Sequence, residues 1–195
     1  MGRFSSRFRI GLAATLFLVG VDGASGNSSR IGFGAAQLAP MTYALFCKRY
    51  SDDCPPAKHK SSIVTLTNER LDELIEVNMF VNLRIRPLRN ERGLAGEQWT
   101  IDPAFGDCND YAVSKRHELL ARGWPMGDLL LSEVVTSSGE HHLVLVVRTS
   151  AADFVLDNLY PRVRDWTEAE YRWIRIQAPD SNQWTSVEPI RTGAR

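Results

Sequence analysis

The feature that most constrains the fold is a change of residue pattern at Pro125. Before it, apolar residues recur at the spacing of helices; after it, short runs rich in β-branched residues alternate with turn residues. The second half predicts four strands, at residues 128–136, 141–149, 153–159 and 172–177. Helices followed by an antiparallel meander are typical of an α+β domain.

Two helices are predicted ahead of these strands. Thr67 caps the first, Glu69 lies in its first turn and Pro87 ends it. The second runs over residues 108–122, with Gly123 as its C-terminal stop. The segment between them is polar and rich in glycine, and it predicts a loop.

The N-terminal residues do not have the pattern of the rest of the chain. Three arginines and no acid occupy residues 1–10, and an apolar run of residues 10–21 follows. As a helix this run would be about 18 Å long, shorter than the roughly 30 Å hydrocarbon core of a membrane. Residues 1–26 are therefore interpreted as a signal peptide, and the protein is expected to be periplasmic or secreted. An uncleaved membrane anchor is the alternative.

Cys47 and Cys54 are seven residues apart. In an exported protein this spacing predicts a local disulfide, which would hold an irregular lead-in of residues 27–60. A metal site at these two cysteines is the alternative. Residues 61–195 are then the core domain, and Cys108 is left as the odd thiol.

The charge balance bears on the class of partner. Lys and Arg number 23, Asp and Glu number 23, and the formal net charge is zero. A nucleic-acid-binding protein usually carries a basic excess, so no nucleic acid is expected as a partner.

Cys108 lies where a glycine-containing loop enters the second helix. The unsatisfied N–H groups and the dipole of a helix N-terminus stabilise a thiolate, which is the nucleophilic form of cysteine. The same N–H groups could stabilise an oxyanion. The alternative is a buried, inert thiol.

A cysteine nucleophile needs a base and a group that orients the base. His141 and His142 begin a strand directly after a turn, and Asp157 lies on the next strand. Neighbouring strands can place a histidine and a carboxylate side by side on one face. The alternatives are a half-exposed histidine at a strand end and an aspartate in a turn.

Three segments together resemble the bacterial transglutaminase-like cysteine proteinases. They are residues 106–112 (GDCNDYA), 139–145 (GEHHLVL) and 155–158 (VLDN). The resemblance covers residues 40–180. The pair Cys47 and Cys54, and Trp99 ahead of Cys108, also look like features of this family, which includes periplasmic proteinases that release adhesins from the cell surface.

The resemblance implies a papain-like, transglutaminase-like α+β core, with the nucleophile helix packed on an antiparallel sheet. It implies that Cys108 is the nucleophile, His142 the base and Asp157 the acid that orients it. The implied function is an exported cysteine proteinase that cleaves a peptide bond through a thioacyl intermediate. A surface adhesin is the implied substrate, and a membrane-bound receptor the implied regulator. A transglutaminase-type acyl transferase and a non-catalytic peptide-binding module are the alternatives.

The adhesin-releasing members also bind calcium through acids that flank the cysteine. Asp107 matches one such position, but the position after the cysteine is Asn109 here, which removes one negative charge. Calcium is thus an optional ligand, and the triad itself requires no cofactor. Asp110 is expected to stabilise the helix N-terminus; the alternative is that it compensates for the charge missing at Asn109. The indole N–H of Trp99 is expected to join the backbone N–H of Cys108 in binding the oxyanion.

Overall fold

The computed structural model describes residue 1 and residues 30–54, 62–89, 97–179 and 181–188. The signal peptide predicted over residues 1–26 lies outside these residues except for Met1. The boundary predicted between residues 60 and 61 also lies outside them. Within the described ranges, no helix has the length and apolar character that a membrane crossing requires.

The described chain contains helices and strands in mixed order before residue 122 and mainly strands after it. The helices are α1 (Met41–Arg49), α2 (Asn68–Arg84) and α3 (Cys108–Ala121). The strands are β1 (Gly32–Gln37), β2 (Arg86–Pro87), β3 (Phe105–Gly106), β4 (Leu129–Val135), β5 (His141–Arg148), β6 (Asp153–Leu156), β7 (Arg164–Asp165), β8 (Arg172–Gln177) and β9 (Trp184–Glu188).

Seven of the strands form one antiparallel sheet in the order β1-β9-β8-β4-β5-β6-β7. Strands β2 and β3 form a separate parallel pair just ahead of α3. Helix α3 packs on β5, near the middle of the sheet. The predicted α+β class, with the helix that begins at Cys108 packed on an antiparallel sheet, is confirmed.

The sheet is buried on both faces. Leu143, Leu145 and Val147 of β5 face the helices, whereas Val144 and Val146 face a second apolar cluster. This alternation follows from the two-residue period of a strand. Burial on both faces explains why β5 has an almost continuous apolar sequence. It also fixes the register of the strand that begins at His141 and His142.

The segment predicted to be an irregular lead-in is partly regular. It forms β1, which pairs with β9 at the edge of the sheet, and it forms α1. The sequence of β1, GFGAAQ, has a low strand propensity, so its conformation depends on pairing with β9. The third predicted strand is shorter than expected and ends at Leu156 instead of residue 159.

The predicted disulfide between Cys47 and Cys54 is present, with 5.3 Å between the two Cα atoms. The loop that it closes is bound to α3 through Asp53. Arg116 Nη1 donates to the Asp53 carbonyl oxygen at 2.6 Å, and His117 Nδ1 lies 3.0 Å from the Asp53 carboxylate. The disulfide loop therefore supports the C-terminal half of the helix that carries Cys108.

Candidate active site

Helix α3 begins at Cys108 because the residues around it satisfy the free N–H groups of the first turn. The Asp107 carboxylate accepts from the Asn109 N–H at 3.0 Å, and the Asp110 carboxylate accepts from the Asp107 N–H at 3.0 Å. The Asp107 side chain also accepts from the Asp110 N–H, so Asp107 and Asp110 form a capping box. Gly106 allows this approach, because a Cβ atom there would lie 2.6 Å from an Asp110 carboxylate oxygen. The expected role of Asp110 at the helix N-terminus is confirmed.

The half-buried Cys108 side chain lies against the start of β5. Its sulfur is within hydrogen-bonding reach of the backbone N–H groups of Leu143 and Asn109. Strand β6 pairs with β5 only from Leu145 onwards, so the first residues of β5 have no partner in β6. The fold thus brings Cys108 next to the residue that follows His142.

His142 and Asp157 are in direct contact. His142 Nε2 lies 2.8 Å from Asp157 Oδ1, and both side chains are buried. Leu145 is opposite Leu156 in the register, so Asp157 follows the end of β6 and lies diagonally across from His142. A carboxylate partner means that Nε2 carries the ring proton, which leaves Nδ1 to accept a proton from another group.

Both Asp157 carboxylate oxygens have additional partners. Oδ1 accepts from the Leu159 N–H at 2.9 Å, Oδ2 accepts from the Tyr171 hydroxyl, and Arg164 Nη2 lies 3.8 Å from Oδ2. Burial acts to raise the pKa of Asp157, but the hydrogen bond and the charge of His142, with the other donors, bring it below its usual value. The carboxylate is therefore ionised at neutral pH.

Two asparagines of α2, four residues apart, form hydrogen bonds with the backbone of Asp157. Asn78 accepts from the Asp157 N–H at 3.1 Å, and Asn82 donates to the Asp157 carbonyl oxygen at 2.9 Å. Asn78 also donates to the carbonyl oxygen of Pro161 at 3.0 Å. Helix α2 thereby fixes the segment that follows β6.

The family of the chain follows from a comparison with known proteins. Residues 33–192 match the family model described as "Bacterial transglutaminase-like cysteine proteinase BTLCP". The chain belongs to this family of cysteine proteinases. No curated protein matches the sequence.

The proteinase is also similar to solved structures of Legionella pneumophila LapG. One is 20% identical with a TM-score of 0.50, and the match covers 58% of this chain and 67% of that chain. The calcium-bound LapG structure is 19% identical with a TM-score of 0.52, and the match covers 63% of this chain and 74% of that chain. At this level of identity the likeness shows that the fold is shared.

The surroundings of the proteinase's thiol do not favour a thiolate. Burial raises the pKa of Cys108 to about 12, and the carboxylates of Asp107 and Glu97 act in the same direction. The N–H groups of Leu143 and Asn109 oppose this effect but do not outweigh it. Burial and two nearby acids therefore outweigh the stabilisation of a thiolate that is expected from the helix N-terminus.

Trp99 is buried behind the start of α3. Its indole N–H donates to the Glu97 carboxylate at 3.0 Å. The geometry therefore gives no support to the expected oxyanion role of Trp99, because its donor is already directed at Glu97. The backbone N–H of Cys108 is the remaining candidate from the sequence.

Asp107 and Asn109, the two expected calcium ligands, flank Cys108 in the sequence. Glu97 joins them in the folded chain. Asn109 Nδ2 donates to the Glu97 carboxylate at 2.9 Å. These side chains offer two carboxylates and one amide, which are oxygen ligands that calcium uses. In the described part of the chain, no three Asp, Glu, His or Cys side chains converge as a metal site would require.

Several side chains around the site could not be assigned from the sequence. Glu97 lies 12 residues before Asn109 in the sequence, and the two side chains meet only in the folded chain. Tyr171 and Arg164 reach Asp157 from residues beyond β6. A signal did exist for Asn78 and Asn82, because two amides four residues apart on the buried side of an amphipathic helix need partners. His141 does not take part: it is exposed and contacts Glu133 at 2.7 Å.

Proposed function

We propose that this proteinase hydrolyses a peptide bond with Cys108 as nucleophile, His142 as general base and Asp157 as the group that orients the base. The 2.8 Å contact between His142 Nε2 and Asp157 Oδ1 carries the proposal. The position of the Cys108 sulfur beside the N–H of Leu143 supports it, because Leu143 follows His142 directly.

The environment of the thiol determines how the reaction starts. Because burial raises the pKa of Cys108 to about 12, the thiol is protonated before the attack. His142 Nδ1 takes this proton as the sulfur attacks the carbonyl carbon, and it then donates the proton to the leaving amine. Asp157 keeps the other ring proton on Nε2 and stabilises the imidazolium that forms. The backbone N–H of Cys108 stabilises the oxyanion, and water hydrolyses the thioacyl intermediate.

A library of fluorescence-quenched peptides tests this function. Wild-type protein is expected to release fluorescence, and Cys108→Ala and His142→Ala are expected to abolish the release. Incorporation of a dansylated amine into a glutamine-containing protein, in place of hydrolysis, would show acyl transfer. Neither activity in the folded wild-type protein would leave a peptide-binding module.

We also propose that Glu97, Asp107 and Asn109 bind a calcium ion. One LapG structure is calcium-bound, and these three residues of the present chain group oxygen ligands beside the nucleophile. When bound, calcium supplies positive charge next to two carboxylates that raise the pKa of Cys108. A calcium titration of the Cys108→Ala protein is expected to raise its melting temperature by mass action, and Glu97→Gln is expected to weaken the effect. No rise at millimolar calcium would remove this ligand from the proposal.

The location and the partners are proposed from the chain's own features and its family. A disulfide at Cys47 and Cys54 is typical of an oxidising compartment and supports export to the periplasm or the medium. The family resemblance supports a surface adhesin as substrate and a membrane-bound receptor as regulator. Fractionation of cells that express the full chain tests the location, and recovery of the protein only in the cytoplasm would contradict it.

A further inference from the structure

The chain beyond β6 brings an arginine to the carboxylate of the proposed triad. Arg164 begins β7 and is opposite Val155 of β6, and Asp157 lies two residues after Val155. Residues opposite each other in a strand pair share a face of the sheet, and so do residues two apart along a strand. The guanidinium of Arg164 therefore reaches Asp157, and its Nη2 atom lies 3.8 Å from Asp157 Oδ2.

The guanidinium of Arg164 packs on an aromatic ring. Its central carbon lies 3.7 Å from the centroid of the Tyr160 ring, a close contact between a cation and an aromatic face. Its Nε and Nη2 atoms are buried and have no hydrogen-bond partner among the residues that the structure describes. Buried donors without partners are costly, so this arrangement calls for a cause. Asp157 Oδ2 accepts instead from the Tyr171 hydroxyl, which leaves Arg164 as a charge beside the carboxylate.

We propose that Arg164 is a positioning residue that acts on His142 through Asp157, and that its positive charge keeps the imidazole neutral and available as a base. This inference rests on the proposed triad. The guanidinium and the imidazolium compete for the same carboxylate, because each positive charge beside Asp157 weakens the attraction that the other gains. Arg164 therefore disfavours protonation of His142 before the thiol gives up its proton.

Tyr171 lies beside both Arg164 and His142 and carries no charge. Its ring centroid is 5.8 Å from that of His142 and 5.9 Å from the guanidinium carbon of Arg164. Burial and the Asp157 carboxylate raise the pKa of Tyr171, and the charge of Arg164 opposes this rise. The tyrosine is thus a neutral donor to Asp157, and the guanidinium charge acts within the same group of side chains.

The two helices packed nearby supply no permanent positive charge in contact with Asp157 among the described residues. Helix α2 contributes Asn78 and Asn82, which bond the Asp157 backbone and do not titrate. In α3, burial raises the pKa of Cys108 to about 12, so the thiol is neutral. Burial lowers the pKa of Lys115 in the same helix to about 7, against the attraction of Asp157. A variant that changes Arg164 alone leaves all of these groups in place.

The test is an NMR titration of His142 in protein labelled with ¹³C-histidine. The Cys108→Ala background removes the thiol, and His142→Gln in that background identifies the signal among the four histidines. Arg164→Gln, which removes the charge, is expected to raise the titration midpoint of His142 by about one pH unit. Arg164→Lys, which keeps the charge, is expected to hold the midpoint close to that of the parent. Arg162→Gln, the same change at an exposed arginine of the same segment, is the matched control and is expected to leave the midpoint unchanged.

An unchanged midpoint in folded Arg164→Gln protein would overturn the inference. An equal rise in Arg164→Gln and Arg164→Lys would do the same, because it would assign the effect to packing on Tyr160 and not to the charge. Thermal melts accompany each titration, and Arg164→Met replaces Arg164→Gln if the latter unfolds. Loss of the fold in both neutral variants would give Arg164 a purely structural role and would also overturn the inference. The measurement needs no substrate, so its failure is distinct from a failure of the proposed proteolysis.

Discussion

At the scale of single residues, two acids near the candidate site, Asp157 and Asp107, differ in their surroundings and in what they contact. Asp157 accepts from His142, Tyr171 and Leu159, and these donors hold its pKa below the usual value. Asp107 instead caps α3, and it adds with Glu97 to the effect of burial, which raises the pKa of Cys108. In the proposed mechanism, Asp157 orients the base, whereas Asp107 caps the helix and helps to keep the thiol protonated, so that the thiol depends on that base.

The dependence of Cys108 on His142 can be measured by alkylation. Because burial raises the pKa of Cys108 to about 12, the sulfur needs the base to lose its proton at pH 7. His142→Ala is expected to slow iodoacetamide modification of Cys108 by at least about tenfold, in line with general base catalysis. His141→Ala, which removes the exposed neighbour, is the control and is expected to have no effect. Equal rates in the two variants would contradict the role of His142.

The hydrogen bond from Tyr171 to Asp157 has a pH signature. A carboxyl with a pKa below its unfolded value stabilises the protein above that unfolded value, about 3.9, and this stability is lost as the pH falls through the folded pKa. Tyr171→Phe removes a donor, so the pKa of Asp157 rises and the variant is less stable by about 1 kcal/mol at pH 7. Urea unfolding at pH 7, 5 and 3 is expected to show this difference shrinking at pH 3.

Tyr160→Phe is the matched control for that series, because the Tyr160 ring lies 6.4 Å from the Tyr171 ring without bonding Asp157. Its stability is expected to follow that of the wild type at each pH. A difference between Tyr171→Phe and the wild type that is constant with pH would show that the hydroxyl does not act through the carboxylate.

At the scale of elements, α3 is held at both ends by different means. Its N-terminus is capped by Asp107 and Asp110, and Gly106 gives the capping box its room. Its C-terminus is followed by Gly123, whose φ of 78° is unfavourable for other residues. These two glycines flank the same helix, but Gly106 lies next to Cys108 whereas Gly123 lies at the far end.

Replacing each glycine by alanine is expected to separate stability from catalysis. Gly106→Ala forces a Cβ atom to within 2.6 Å of an Asp110 carboxylate oxygen, so we expect a loss of about 1–3 kcal/mol and a marked fall in peptide hydrolysis. Gly123→Ala meets no atom within 4 Å, and its positive φ is expected to cost about 1 kcal/mol without a fall in activity. Equal activity of the two variants would show that the geometry of the capping box does not matter for the nucleophile.

The elements also show what a sequence can indicate. Strands β4 and β5 and helix α3 could be predicted, because their apolar patterns arise from burial of their own residues. Strand β1 could not, because its glycines and alanines are extended only through pairing with β9. Of the candidate site, the sequence indicates Cys108, His142 and Asp157 by residue type and order, whereas Glu97 and Tyr171 acquire their positions beside Asn109 and Asp157 only through contacts made in the folded chain.

At the scale of the whole molecule, α3 connects the disulfide loop to the seven-stranded sheet. Arg116 donates to the carbonyl oxygens of both Asp53 in the loop and Leu129 at the start of β4. His117 contacts the Asp53 carboxylate. The N-terminal segment is thus part of the same packed unit as the site.

The contribution of the disulfide can be measured in the Cys108→Ala background, which leaves Cys47 and Cys54 as the remaining thiols. Cys47→Ser with Cys54→Ser is expected to lower the unfolding free energy by about 2 kcal/mol, as estimated for a short closed loop. A reductant is expected to lower the urea midpoint of the parent but not that of the double variant. A parent midpoint that does not respond to complete reduction would show that the contacts of Asp53 alone hold the loop.

The N–H groups that contact the Cys108 sulfur belong to the backbone of Leu143 and Asn109. Exchange of either side chain leaves these donors in place, with proline as the exception. Substitutions other than proline at these two positions can therefore change the charge next to the Cys108 sulfur without removing the donors that surround it.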